Sequence, residues 1–144
     1  MIEYIKGDLM KAPEHYILHG CNAKGVMGSG VAKLIRAKYP KAYNDYRARY
    51  ENVGLKLGNI IMSRQDDDKY IINVVSQDGY GKTGIHVSYD AMSLIFTELN
   101  NTLQHGTRVA MPMIGAGLAG GNWNIISSII ETNAKTYQPV VYQL

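Results

Sequence analysis

The chain has 144 residues, 46% of them hydrophobic, carries 15 Lys and Arg against 12 Asp and Glu, and contains one cysteine. This length suits one domain over residues 1–144, and the lone Cys21 excludes an internal disulfide and a cysteine-built zinc site. No apolar run of about 18 residues is present and Met1–Lys6 lacks an apolar leader, so a cytoplasmic protein without a membrane partner is expected.

In chain order, Ile2–Lys6 and Tyr16–Cys21 read as short strands. Val31–Tyr39 and Ala42–Tyr50 read as helices parted at Pro40, whose ring and missing N–H interrupt a helix. Lys33, Arg36, Lys38, Lys41, Arg47 and Arg49 fall in this region; they read as a solvated helical face, so nucleic acid is not an expected partner. Asn59–Ser63 and Tyr70–Val75 read as strands joined by an acidic turn, Asp66–Asp68. Tyr89–Leu103 reads as a helix capped by Ser88, with Ala91, Leu94, Ile95 and Leu99 on its core face. After a strand at Arg108–Met111, a helix at Asn124–Ala134 carries the stripe Ile125, Ile126, Ile129 and Ile130, and Val140–Tyr142 closes the chain as a strand. The alternation predicts an α/β fold on a central, mostly parallel or mixed sheet of about six strands.

Two loops carry the chemistry. The strand ending in His19-Gly20-Cys21-Asn22 runs into Gly25-Val26-Met27-Gly28-Ser29-Gly30-Val31 and a helix. The strand ending at Met111 runs into Pro112-Met113-Ile114-Gly115-Ala116-Gly117-Leu118-Ala119-Gly120-Gly121 and another helix. Glycines let successive peptide N–H groups converge, and a helix start adds unpaired N–H groups and the positive end of its dipole. Loops that follow strands gather at the carboxyl edge of an α/β sheet, so the pair suits two adjacent phosphates. The P-loop spacing is absent from both loops, so triphosphatases are set aside, and nicotinamide dehydrogenases are not expected either.

Gly7-Asp8-Leu9 after the first strand, Asn22 ahead of Gly28-Ser29-Gly30-Val31, and Ile114-Gly115-Ala116-Gly117-Leu118 together resemble the macro domain family, in order and spacing, over Ile2–Leu144. The chain is most similar to the branch holding the yeast ADP-ribose-1''-phosphate phosphatase and the terminal ADP-ribose protein glutamate hydrolase. The segments that point there are His19-Gly20-Cys21-Asn22, Tyr39-Pro40-Lys41-Ala42, Leu57-Gly58-Asn59 and Val141-Tyr142-Gln143-Leu144.

The resemblance implies a three-layer α/β/α fold and a site for ADP-ribose or ADP-ribose-1''-phosphate, with ADP-ribosylated protein as a further candidate. It implies that Asp8, with Leu9 beside it, accepts from the adenine amino group, and that Asn22 reaches the distal ribose hydroxyls. Gly28, Ser29, Gly30 and Val31 would line the distal ribose and terminal phosphate, and Ile114, Gly115, Ala116, Gly117 and Leu118 would cradle the diphosphate. Apart from the resemblance, among the 11 tyrosines Tyr80 or Tyr142 is a candidate to stack on the adenine or terminal ribose, with core or rim packing as the equal alternative. A monomer without cofactor or metal is expected.

The glutamate hydrolases of this branch use a lysine before the third helix and an aspartate in the second glycine loop. Here His86 and Ala119 hold those positions, with Lys82 nearby, so the lysine route is not expected. The phosphatase reading keeps His19 and Asn22 as groups assisting attack by water, with His86 as a further proton-transfer candidate, since imidazole titrates near neutral pH. Cys21 reads as structural, because Met27 stands near where a thiolate phosphatase needs an arginine. A non-enzymatic ADP-ribose reader and a hydrolase of ADP-ribosyl or O-acetyl-ADP-ribose esters are the alternatives.

Overall fold

A computed structural model describes residues 1–80, 84–117 and 119–144. Its strands are β1 (Glu3–Lys6), β2 (Tyr16–Asn22), β3 (Ile60–Arg64), β4 (Tyr70–Gln77), β5 (Arg108–Met111) and β6 (Gln138–Gln143). They form one six-stranded sheet in the order β1-β6-β5-β2-β4-β3. Every neighbouring pair is parallel except β3 and β4, which are antiparallel. The acidic turn closes that hairpin: Gln65 N donates to Lys69 O at 2.7 Å, and Asp68 adopts φ 64°, a conformation that short Asx side chains tolerate.

Helices α1 (Gly30–Lys38) and α2 (Pro40–Asn52) cover one face of the sheet, and α3 (Tyr89–Thr102) and α4 (Trp123–Asn133) cover the other. Alternation along each strand sends consecutive residues to opposite layers. Thus Ile17, Ile71 and Val140 pack with Ile35, Tyr39 and Ala42, whereas Leu18, Ile72 and Val141 pack with Met92, Phe96, Ile126 and Ile130. Burial on both faces explains why the central strands read as continuous apolar runs. This is the expected three-layer α/β/α arrangement.

Local capping fixes the helix starts. Pro40 opens α2 at its first position, where a missing N–H costs nothing. Ser88 Oγ accepts from Ala91 N at 3.1 Å and caps α3 as expected. The expected apolar stripes hold at Ala91, Ile95, Leu99, Ile126 and Ile130, which are buried, and fail at one residue each: Leu94 is 64% exposed and Ile125 44% exposed, while Met92 and Phe96 on α3 are fully buried. Leu94 instead lies over Gly58. Among the described residues, no helix is long and apolar enough to cross a membrane.

Candidate functional site

β2 and β5 are parallel neighbours, so the two glycine loops leave the sheet side by side at its carboxyl edge. Between them lies a cleft of about 290 Å³. Its floor is Gly20–Asn22, one wall is Val26–Ala32, the other is Pro112–Gly115 with Gly117 and Ala119, and Gln77 and Tyr80 form the lip. The described lining contains no carboxylate, lysine, arginine or histidine; its polar side chains are Cys21, Asn22, Ser29, Gln77 and Tyr80.

The first wall is organised by Asn22. Its Nδ2 donates to Val26 O and its Oδ1 accepts from Lys24 N, both at 2.9 Å, while Tyr46 Oη donates to its backbone oxygen at 2.6 Å. The amide thus shapes the loop as well as lining the cleft. Ser29 occupies the N-cap of α1 but makes no side-chain capping bond, so the first-turn N–H groups of α1 stay open beside Gly28, Ser29, Gly30 and Val31.

The second wall is a tight turn that spends part of its own donors. Ile114 N donates to Pro112 O at 2.7 Å and Ala116 N to Met113 O at 3.2 Å. Ala116, expected in the cradle, is absent from the lining. Among the described residues of the loop, Met113, Gly115, Gly117 and Ala119 are the lining positions whose N–H groups make no such internal donation. Gly115 has φ +78°, and a Cβ there would approach Met92, Val87 and Ile126 to between 2.8 and 3.0 Å. Glycine is therefore required both by conformation and by the α3 and α4 side chains behind it.

Several expected residues are not brought to the cleft. His19 is corrected from a proton-transfer group to a core residue: it is 0% exposed. Its Nε2 lies 2.6 Å from Asn73 Oδ1. Asn73 Nδ2 donates to Ala42 O and Ile61 O, which turns Oδ1 toward the ring and makes Nε2 the donor. Burial lowers the His19 pKa to about 4 despite the Asn73 bond, so the ring stays neutral at physiological pH. Cys21, in the cleft floor beside His19, has its thiol pKa raised by burial, as suits a structural cysteine.

Tyr142 faces away from the cleft: its hydroxyl donates to Glu14 Oε1 at 2.6 Å, and burial followed by that bond raises its pKa to about 12. Tyr80, the other stacking candidate, lines the cleft at 58% exposure. Asp8 caps a 3-10 turn at Leu9–Lys11, accepting from Met10 N at 2.9 Å. Leu9 is buried against Tyr142's cluster. Both lie after β1, on the same sheet edge but outside the cleft lining. His86 N donates to Ala119 O at 2.7 Å, so the two positions that depart from the glutamate hydrolases are neighbours. The His86 side chain does not line the cleft, and its buried Nε2 has no partner among the described residues. Leu118 and Lys82 lie outside the described residues.

The sequence reading missed Gln77 and Val26 in the lining and missed Tyr46 behind it. A polar residue closing the apolar run of β4 was the one available sign of Gln77.

Among solved structures, the macrodomain of Thermus aquaticus DarG superposes with a TM-score of 0.82 at 22% identity, covering 100% of this chain and 99% of that one. An uncharacterized 17.5 kDa protein from the tk-vs intergenic region of Enterobacteria phage T4 is 32% identical, covering 98% of this chain and 95% of its own. An ADP-ribose 1''-phosphate phosphatase of Candida albicans is 26% identical, with 91% and 92% covered. The sequence pattern that defines the Macro domain matches residues 18–130.

Proposed function

The chain belongs to the macro domain family, and on that premise we propose that the cleft binds ADP-ribose through its diphosphate and hydrolyses ADP-ribose-1''-phosphate to ADP-ribose and inorganic phosphate. The observation that carries the reading is the pairing of two glycine-built walls on the adjacent parallel strands β2 and β5. Peptide N–H groups and a helix start hold a diphosphate there without lysine or arginine. The diphosphate lies between Gly28–Val31 and Gly115 with Gly117, and the terminal phosphate lies over the start of α1. Asp8 sits three strand spacings from β2 across β5 and β6, about 14 Å, on the side to which the adenosine extends.

In hydrolysis, water adds to phosphorus, the bond from phosphorus to the 1''-oxygen breaks, and that oxygen leaves as the ribose hydroxyl. No histidine or carboxylate lines the described cleft, so the substrate's own phosphate takes the water proton and passes one to the leaving oxygen. The protein contributes position and N–H groups aimed at the charge on the phosphoryl oxygens. The same lack of an acid or base supports a second reading, a reader that binds ADP-ribose without turnover.

The test is calorimetric titration with ADP-ribose, followed by incubation with ADP-ribose-1''-phosphate in ¹⁸O-water. Binding together with release of ¹⁸O-labelled phosphate is expected. Binding without release of any product, including from an ADP-ribosylated glutamate peptide, replaces the phosphatase with the reader. Absence of binding removes both.

A further inference from the structure

Helix α2 stands outside the cleft, yet three of its side chains hold the segment that leads into the first glycine wall, at Asn22 and Gly25. Tyr43, Tyr46, Arg47 and Tyr50 follow the spacing of one helical face. Tyr46 is fully buried; its hydroxyl donates to Asn22 O at 2.6 Å and lies 3.0 Å from Asn22 Oδ1. Arg47 Nη1 donates to Gly25 O at 3.0 Å, with its guanidinium 4.9 Å from the Tyr50 ring centroid. The Tyr50 ring lies 2.7 Å from where a Cβ on Gly25 would stand, at φ +78°.

These contacts bear on the residues between the end of β2 and the start of α1. The register of β2 against β4 shifts between Cys21 and Asn22, so the strand pairing does not fix how the chain leaves the sheet. Asn22 then sets the bend through Lys24 N and Val26 O, and Tyr46 anchors Asn22. Met27, packed with Tyr46 and Cys21, carries the same restraint to Gly28.

We propose that Tyr46 is a positioning residue of the cleft: through its hydroxyl bond to Asn22 it holds the first glycine wall in the shape that receives an anionic ligand. The inference rests on the reading of the cleft as an ADP-ribose site. A wall preformed in this way meets its ligand without the cost of ordering a loop, so loosening it weakens binding even though no ligand contact is removed.

Tyr137 supplies the control, because it is also a buried tyrosine whose hydroxyl donates to a backbone oxygen, Phe96 O, at 2.6 Å. It lies between α3 and β6, away from the cleft lining. Tyr46→Phe and Tyr137→Phe each delete one oxygen and keep the ring. Similar losses of melting temperature are expected, with ADP-ribose affinity falling about tenfold in Tyr46→Phe and changing less than about twofold in Tyr137→Phe. In the unliganded protein, the amide NMR signals of Gly28 and Gly30 are expected to shift or broaden in Tyr46→Phe alone. Unchanged affinity in Tyr46→Phe, or equal weakening in both variants, overturns the proposal. Should the wild-type protein not bind ADP-ribose, the ligand reading fails by itself; the amide signals then decide this proposal, and unmoved Gly28 and Gly30 signals in Tyr46→Phe overturn it.

Discussion

His19 sits on β2 with its ring sealed against Asn73 and no exposed surface. Burial, opposed by the Asn73 bond, lowers its pKa from 6.5 to about 4. Between these values the unfolded chain holds a proton that the folded chain refuses, so stability rises with pH across the window. The contribution is complete above the unfolded value and is lost as pH falls toward the folded one. Urea unfolding is expected to show a loss of roughly 2–3 kcal/mol between about pH 7 and about pH 4.5 from this residue. His19→Gln cannot titrate and is expected to flatten that dependence; an equal slope in the variant would assign the effect to other groups. At this scale the sequence was least legible. A histidine at a strand end beside a glycine loop has the same local pattern whether its ring enters the core or the cleft.

The glycine-loop elements separate two uses of one residue type. A Cβ on Gly28 meets nothing within 4 Å, whereas one on Gly115 meets three side chains at 3.0 Å or less and sits at φ +78°. Gly28→Leu is therefore expected to keep the wild-type melting temperature and to weaken ADP-ribose binding by about tenfold or more, since its side chain projects into the open cleft. Gly115→Ala is expected to cost roughly 2–4 kcal/mol in thermal unfolding, from the left-handed backbone and the overlap with Met92 and Val87. Equal stability losses in the two variants would contradict this division. The strand, loop and helix sequence of each element was readable because glycine and helix-start chemistry are local. The internal bonds of the second loop, which spend the Ile114 and Ala116 N–H groups, were not.

For the whole molecule, a ligand that joins loops from β2 and β5 ties together the centre of the sheet. ADP-ribose at a hundredfold excess over its Kd is expected to add about 2.7 kcal/mol of stability and to raise the melting temperature by about 8 °C; an unshifted melting curve at saturating ligand would contradict a native-state site. The six strands and four long helices in their order, and the two glycine loops, were legible in the chain because period, glycine and proline act over a few residues, and the family was legible as a resemblance of the motifs around Asp8, Asn22 and Gly115. Long-range packing set the rest: β6 inserts between β1 and β5, Tyr142 turns to Glu14, α3 buries Met92 and Phe96 in place of Leu94, and His19 faces α2's layer. The physical reason is shared: both faces of a parallel sheet are covered by helices, so apolar alternation does not mark one face as inside. Each side chain's surroundings then depend on which distant strand or helix packs beside it.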